Sequence, residues 1–107
     1  MSDDLLPTLL SEAKYDYIGL WEVIKKVRLL NPDLSSDAVR SRTLKLVAEM
    51  LAKGFLAVDL LPSGGCRPWE NQNPREILEC IDTKWRELRR EPNIGDIVWF
   101  STKQKLN

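Results

Sequence analysis

Apolar residues recur along most of this chain at steps of three and four, and they run together in two stretches, one mid-chain and one near the end. Tyr17, Leu20, Trp21, Ile24 and Val27 form the first stripe, with Lys25, Lys26 and Arg28 on the outer face and in the last turn. That pattern predicts a helix from about Asp16 to Leu30, stopped by Asn31-Pro32. Ahead of it, Leu5, Leu6, Leu9 and Leu10 predict one amphipathic turn around Pro7. A second helix announces itself through Ser35 as N-cap and Asp37 in the first turn, with Leu34 and Val39 placed as a hydrophobic staple. Val39, Leu46, Val47, Met50 and Leu51 make its buried stripe, while Arg40, Arg42, Lys45, Glu49 and Lys53 face away. No Gly, Pro or Asn interrupts Ser36 to Lys53, so one unbroken helix is expected, capped by Gly54.

Phe55 to Leu60 is a β-prone run, Pro62-Ser63-Gly64-Gly65 a turn and Cys66 to Trp69 a returning strand, which together predict a β-hairpin. Pro68 has no amide hydrogen, so that returning strand belongs at an edge or is short. Asn73-Pro74-Arg75-Glu76 is a strong helix start, and Ile77, Leu78, Ile81, Trp85 and Leu88 are the clearest amphipathic stripe, ended by Glu91-Pro92. Asn93 to Asp96 is turn chemistry, and Ile97 to Phe100 is an apolar run suited to a strand buried on both faces. The tail from Thr102 to Asn107 is expected to fray. The whole, residues 1–107, reads as a single α+β domain.

Composition narrows the function classes. At 107 residues and 43% hydrophobic, the chain can bury a core without staples. Sixteen basic residues balance sixteen acidic ones, which counts against a nucleic-acid binder, whose affinity for phosphate ordinarily rests on a positive excess. Cys66 and Cys80 stand singly, at neither zinc-ligand nor redox spacing, and read as buried free thiols. The acidic start Met1-Ser2-Asp3-Asp4 is unlike a secretory leader, so a cytoplasmic protein is expected, and no apolar run approaches the roughly 20 residues of a membrane span.

The order helix, helix, Gly54, strand, Gly-rich turn, strand resembles a winged helix, with Leu51-Ala52-Lys53-Gly54-Phe55-Leu56-Ala57-Val58 matching the end of its last helix and the first wing strand. The resemblance covers about Asp16 to Trp69 and implies a winged-helix-like domain extended by a C-terminal helix and a final strand that joins the sheet. From Trp69 through the helix to Arg90-Glu91-Pro92-Asn93-Ile94-Gly95-Asp96-Ile97-Val98-Trp99-Phe100 the chain resembles a group of small bacterial proteins. Some proteins of this size and make-up are immunity partners of secreted antibacterial toxins of the contact-dependent inhibition type. The match departs from a DNA-binding winged helix where it matters. A helix-turn-helix needs a break before its recognition helix, and Ser36 to Lys53 contains no turn residue.

Candidate chemistry is sparse. With no histidine, the usual general base near neutral pH is missing, together with the Ser-His-Asp and Cys-His arrangements and most zinc sites. Gly64-Gly65 matches no phosphate-binding loop and is explained by the hairpin turn. The carboxylates Glu79, Asp82 and Glu87 read as a solvated helix face. No catalytic residue, metal site or cofactor is expected. Arg86, Arg89 and Arg90 cluster where cations stabilise a helix C-terminus, or else form a patch for a carboxylate- or phosphate-bearing partner. Trp21, Trp85 and Trp99 fall on apolar stripes and are expected in the core, whereas Trp69 sits beside Arg67, Pro68 and Glu70 at the end of the hairpin, where packing against the Ile77–Leu88 helix is expected ahead of exposure as a binding hot spot.

The expectation is a non-enzymatic protein-binding module of immunity type that neutralises a toxin domain. Its partner surface is expected to be Arg67, Trp69 and Glu70 of the hairpin with Glu76, Glu79, Asp82 and Glu87 of the last helix. The alternative is a winged-helix transcriptional regulator that contacts nucleic acid through Arg40, Arg42, Lys45 and Arg67.

Overall fold

The computed structural model describes residues 5–13 and 16–102. Met1 to Asp4, on which the leader expectation bears, and residues 103–107 of the expected tail lie outside them, while Thr102, expected to fray with that tail, is paired with Phe55 in the sheet. Four helices and a four-stranded antiparallel sheet follow in the order α1 (Leu6–Glu12), β1 (Ile18–Gly19), α2 (Leu20–Leu30), α3 (Ser36–Ala52), β2 (Phe55–Leu60), β3 (Cys66–Pro68), α4 (Pro74–Leu88) and β4 (Trp99–Thr102). The strands lie in the order β1-β4-β2-β3, so the last strand of the chain is inserted in the middle of the sheet. As Pro68 requires, β3 is short and at an edge.

Capping at the helix starts follows the expected residues. Ser35 Oγ accepts the Ala38 N–H at 3.1 Å and the Asn73 side chain accepts the Glu76 N–H at 3.2 Å. Gly54 adopts φ 101°, the left-handed geometry that ends α3. α3 is the spine of the domain and packs against α1, α2, α4 and β2. Its whole expected stripe is buried, together with Thr43, whose hydroxyl has no hydrogen-bond partner.

Several expectations are corrected. The helix expected from Asp16 begins at Leu20, because Ile18 and Gly19 pair with Phe100 and Trp99 and the Leu20 N–H continues that ladder onto the Val98 carbonyl. At the other end of the chain, α4 stops at Leu88 rather than at Glu91-Pro92, with Arg89 in the left-handed region at φ 57°. The final strand starts at Trp99, since Ile97 has φ 68°, which a strand does not admit. Only Trp85 of the three expected core tryptophans is buried. Trp21 and Trp99 are half-buried around Gly19, where an added Cβ would stand 2.7 Å from the Trp21 indole and 3.2 Å from Trp99. Cys66 and Cys80 are free, but both are half-buried rather than buried. Among the described residues no helix is long and apolar enough to cross a membrane.

Candidate partner-binding site

Where the last turns of α2 approach the loop after α4, the apolar stripe of α2 runs past its partners. Val27 is buried, yet Leu29 is 71% exposed, and across from it Ile94 is 70% exposed. Between them lies an open, mainly apolar groove of about 550 Å³, walled by Trp21, Ile24, Leu29, Pro32, Pro92 and Ile94. Single exposed apolar residues are ordinary on a protein surface, whereas a contiguous concave set is the usual form of a binding site.

The groove is held open by polar groups on its rim and behind it. Arg28 on α2 donates through Nε to Glu91 Oε1 at 2.7 Å, pairs again through Nη2, and donates through Nη1 to the Leu34 carbonyl at 3.2 Å. One guanidinium thus ties the end of α2, the turn into α3 and the loop after α4. The Glu91 carboxylate in turn holds Arg28 firmly in its charged form. Beyond Glu91, Asp96 closes the turn that carries Ile94. Its Oδ2 accepts the Asn93 N–H at 2.7 Å and an Arg90 N–H at 2.8 Å, and the Asp96 N–H returns to the Asn93 carbonyl at 3.0 Å. Arg90 and the Asn93 amide lower the Asp96 pKa from its ordinary value.

Two non-glycine residues in the left-handed region bracket this loop. Arg89 opens it at φ 57°, and Ile97 ends it at φ 68° in a three-residue turn closed by the Val98 N–H on the Asp96 carbonyl at 2.8 Å. Such backbone costs on the order of 1–3 kcal/mol per residue and concentrates at functional loops. The strained brackets and the exposed Ile94 mark the same segment.

On the other side of Glu91 lies a second cleft of about 270 Å³, at the first turn of α3. Arg40 of α3, Arg86 of α4 and Arg89 and Arg90 of the loop line it, over Trp85. Arg86 Nη2 donates to Asp82 Oδ2 at 2.7 Å. Arg40 Nε lies 3.3 Å from Asp82 Oδ1 without the alignment of a hydrogen bond, and that buried oxygen has no hydrogen-bond partner.

The residues expected from sequence are distributed differently. Arg67 and Glu70 are exposed at the hairpin. Trp69 is half-buried against the core, its indole N–H donates to Asp59 Oδ1 at 3.1 Å, and Lys84 Nζ stands 5.9 Å above its ring, so its surface is largely spent within the fold. Glu76, Glu79 and Glu87 are exposed along α4 and line neither cleft. Asp82 is engaged by Arg40 and Arg86. Of the residues proposed for nucleic acid, Arg42 and Lys45 are exposed on α3, while Arg40 is turned toward Asp82 and Asp37. The groove itself was missed by the sequence reading. Its signals were Leu29 and Leu30 past the end of the stripe and an isolated Ile94 inside turn chemistry.

Comparison of the chain with protein-family models, with curated proteins and with solved structures returned no match.

Proposed function

We propose that this chain is a non-enzymatic protein-binding module that docks a partner protein through the groove between α2 and the Arg89–Ile97 loop. The observation that carries the reading is the pair Leu29 and Ile94, 71% and 70% exposed and both lining one concave, mainly apolar surface. A peptide segment with large apolar side chains is the occupant such walls reward. Lys25, exposed on the rim and without an ion-pair partner among the described residues, adds a positive edge. In its most concrete form the module is an immunity-type inhibitor that covers the active site of a bacterial toxin, built on a winged-helix-like arrangement of α2, α3, β2 and β3. The 17-residue unbroken α3 and the engagement of Arg40 by Asp82 weigh against base reading by this helix.

The test is a random-peptide display selection on the wild-type protein and on a Leu29→Ser/Ile94→Ser variant, with duplex DNA in low salt as a parallel ligand. Peptides that bind the wild type and not the variant support the module. Peptides indifferent to the variant, or DNA binding that collapses as salt rises, would overturn it in favour of another surface or a nucleic-acid partner.

A further inference from the structure

We infer that the segment docking in this groove is acidic: its apolar side chains fill the groove and its carboxylates reach the guanidinium groups of Arg40, Arg86 and Arg89 across Glu91. This rests on the docking reading above and specifies the partner's chemistry. The groove and the arginine cleft share Glu91 as a common wall, so one extended or helical segment can span both. Glu91 does not repel such a segment as a free acid would, because Arg28 holds its carboxylate.

The cleft has more guanidinium than its own acids satisfy. Asp82 is shared between Arg40 and Arg86, and Arg90 is committed to Asp96. Asp37 offsets part of this, lying 3.6 Å from Arg40 with its side chain 89% exposed. Arg89 is exposed and has no acidic partner among the described residues. Stabilisation of the α4 C-terminus accounts for Arg86, which lies within the helix, but Arg89 is past the helix end and in a backbone conformation that favours glycine. As the C-cap of α4 it closes the helix through its N–H on the Arg86 carbonyl, which leaves its guanidinium uncommitted to any acid among the described residues. The first turn of α3, at Ser36, adds the positive end of a helix dipole to the same cleft. Guanidinium groups recognise planar carboxylates in paired geometry. A phosphate chain would satisfy the cleft but leave the adjoining apolar walls uncovered, so the continuity of the two surfaces favours a peptide.

The experiment uses peptides selected on the full chain, with Kd measured for wild type, Arg89→Glu, Arg89→Gly and Arg86→Gln, each checked for folding by thermal melting. The expected result is enrichment of Asp or Glu beside the apolar anchor. Binding should weaken about tenfold or more in Arg89→Glu and less in Arg89→Gly, and should weaken as salt is raised. Arg89→Gly suits the left-handed backbone, so its effect reads the lost charge and not a damaged fold. Neutral or basic peptides, or affinities unmoved by all three variants, would overturn the inference. If those peptides still fail on Leu29→Ser/Ile94→Ser, the docking reading survives that loss. An empty selection removes both, and DNA binding abolished by Arg89→Glu would reassign the cleft to phosphate.

Discussion

Replacing Gln72 by Glu should destabilise the domain more than removing the side chain altogether. β3 ends at Pro68, and past it the Trp69 N–H donates to the Ala57 carbonyl at 2.9 Å while the Gln72 amide completes the half-buried edge of β2. Its Oε1 accepts the Ala57 N–H at 3.1 Å, and its Nε2 donates to the carbonyls of Ala57 and Trp69, each at 2.9 Å. Only this orientation of the amide satisfies all three bonds, because the flipped one sets oxygen against two carbonyls. Gln72→Ala removes the three bonds but lets water reach the half-buried edge, at a net cost of about 1–2 kcal/mol. Gln72→Glu keeps the shape, loses both donated bonds at about 1 kcal/mol each, and sets a carboxylate against two carbonyl oxygens. The expected loss is roughly 2–4 kcal/mol near pH 7, a fall in Tm on the order of 10–20 °C for a domain of this size. Part of it should be recovered as the pH drops and the new carboxyl protonates, since a protonated oxygen again donates. Thermal melts at pH 7 and pH 5 decide the matter. A Glu variant as stable as the wild type, or one milder than Gln72→Ala, refutes this account of the β2 edge.

Other substitutions probe the packing around the site. Gly19→Ala should cost about 1–3 kcal/mol in a denaturant melt, because the added Cβ meets the Trp21 indole at 2.7 Å against the Trp99 ring. Thr43→Val should raise stability by about 1 kcal/mol, since it replaces a buried hydroxyl that lacks a partner with a methyl of the same shape. The folded-state pKa of Asp96 is lowered by Arg90 and the Asn93 amide, so its contribution is fully present above the ordinary aspartate pKa of about 3.9. That contribution is lost as the pH falls through the lower folded value. The Asn93 amide resonance should hold its position at neutral pH and move only in the acid range, whereas a shift near pH 6 would contradict the assignment.

Most of the element order was legible in the sequence because it is carried by local signals. Ser35, Gly54 and Asn73-Pro74 are caps whose chemistry acts within one turn, and the α3 and α4 stripes are long enough to declare their period. What was not legible depends on partners distant in sequence. Ile18 and Gly19 continue the spacing of α2 but become a strand because Phe100 and Trp99 offer a ladder. Ile97 reads as strand by hydrophobicity, and the Asn93–Asp96 turn instead forces it into left-handed backbone. The arginine cleft was half visible. Arg86, Arg89 and Arg90 are neighbours in sequence, but Arg40 joins them only when α3 packs against α4. The groove was hidden for the same reason, since its two walls are more than sixty residues apart along the chain.

Amide chemical-shift mapping of the nitrogen-labelled protein, titrated with a display-selected peptide, decides whether the groove is the surface that meets a partner. The prediction is saturable shifts centred on the second half of α2, the turn at Pro32 and the Arg89–Ile97 loop, extending to Arg40 and Arg86 where the segment reaches the adjoining cleft. Shifts that instead centre on Arg67, Trp69 and Glu70 or along Glu76, Glu79 and Glu87 would contradict it and move the interface to the hairpin and α4.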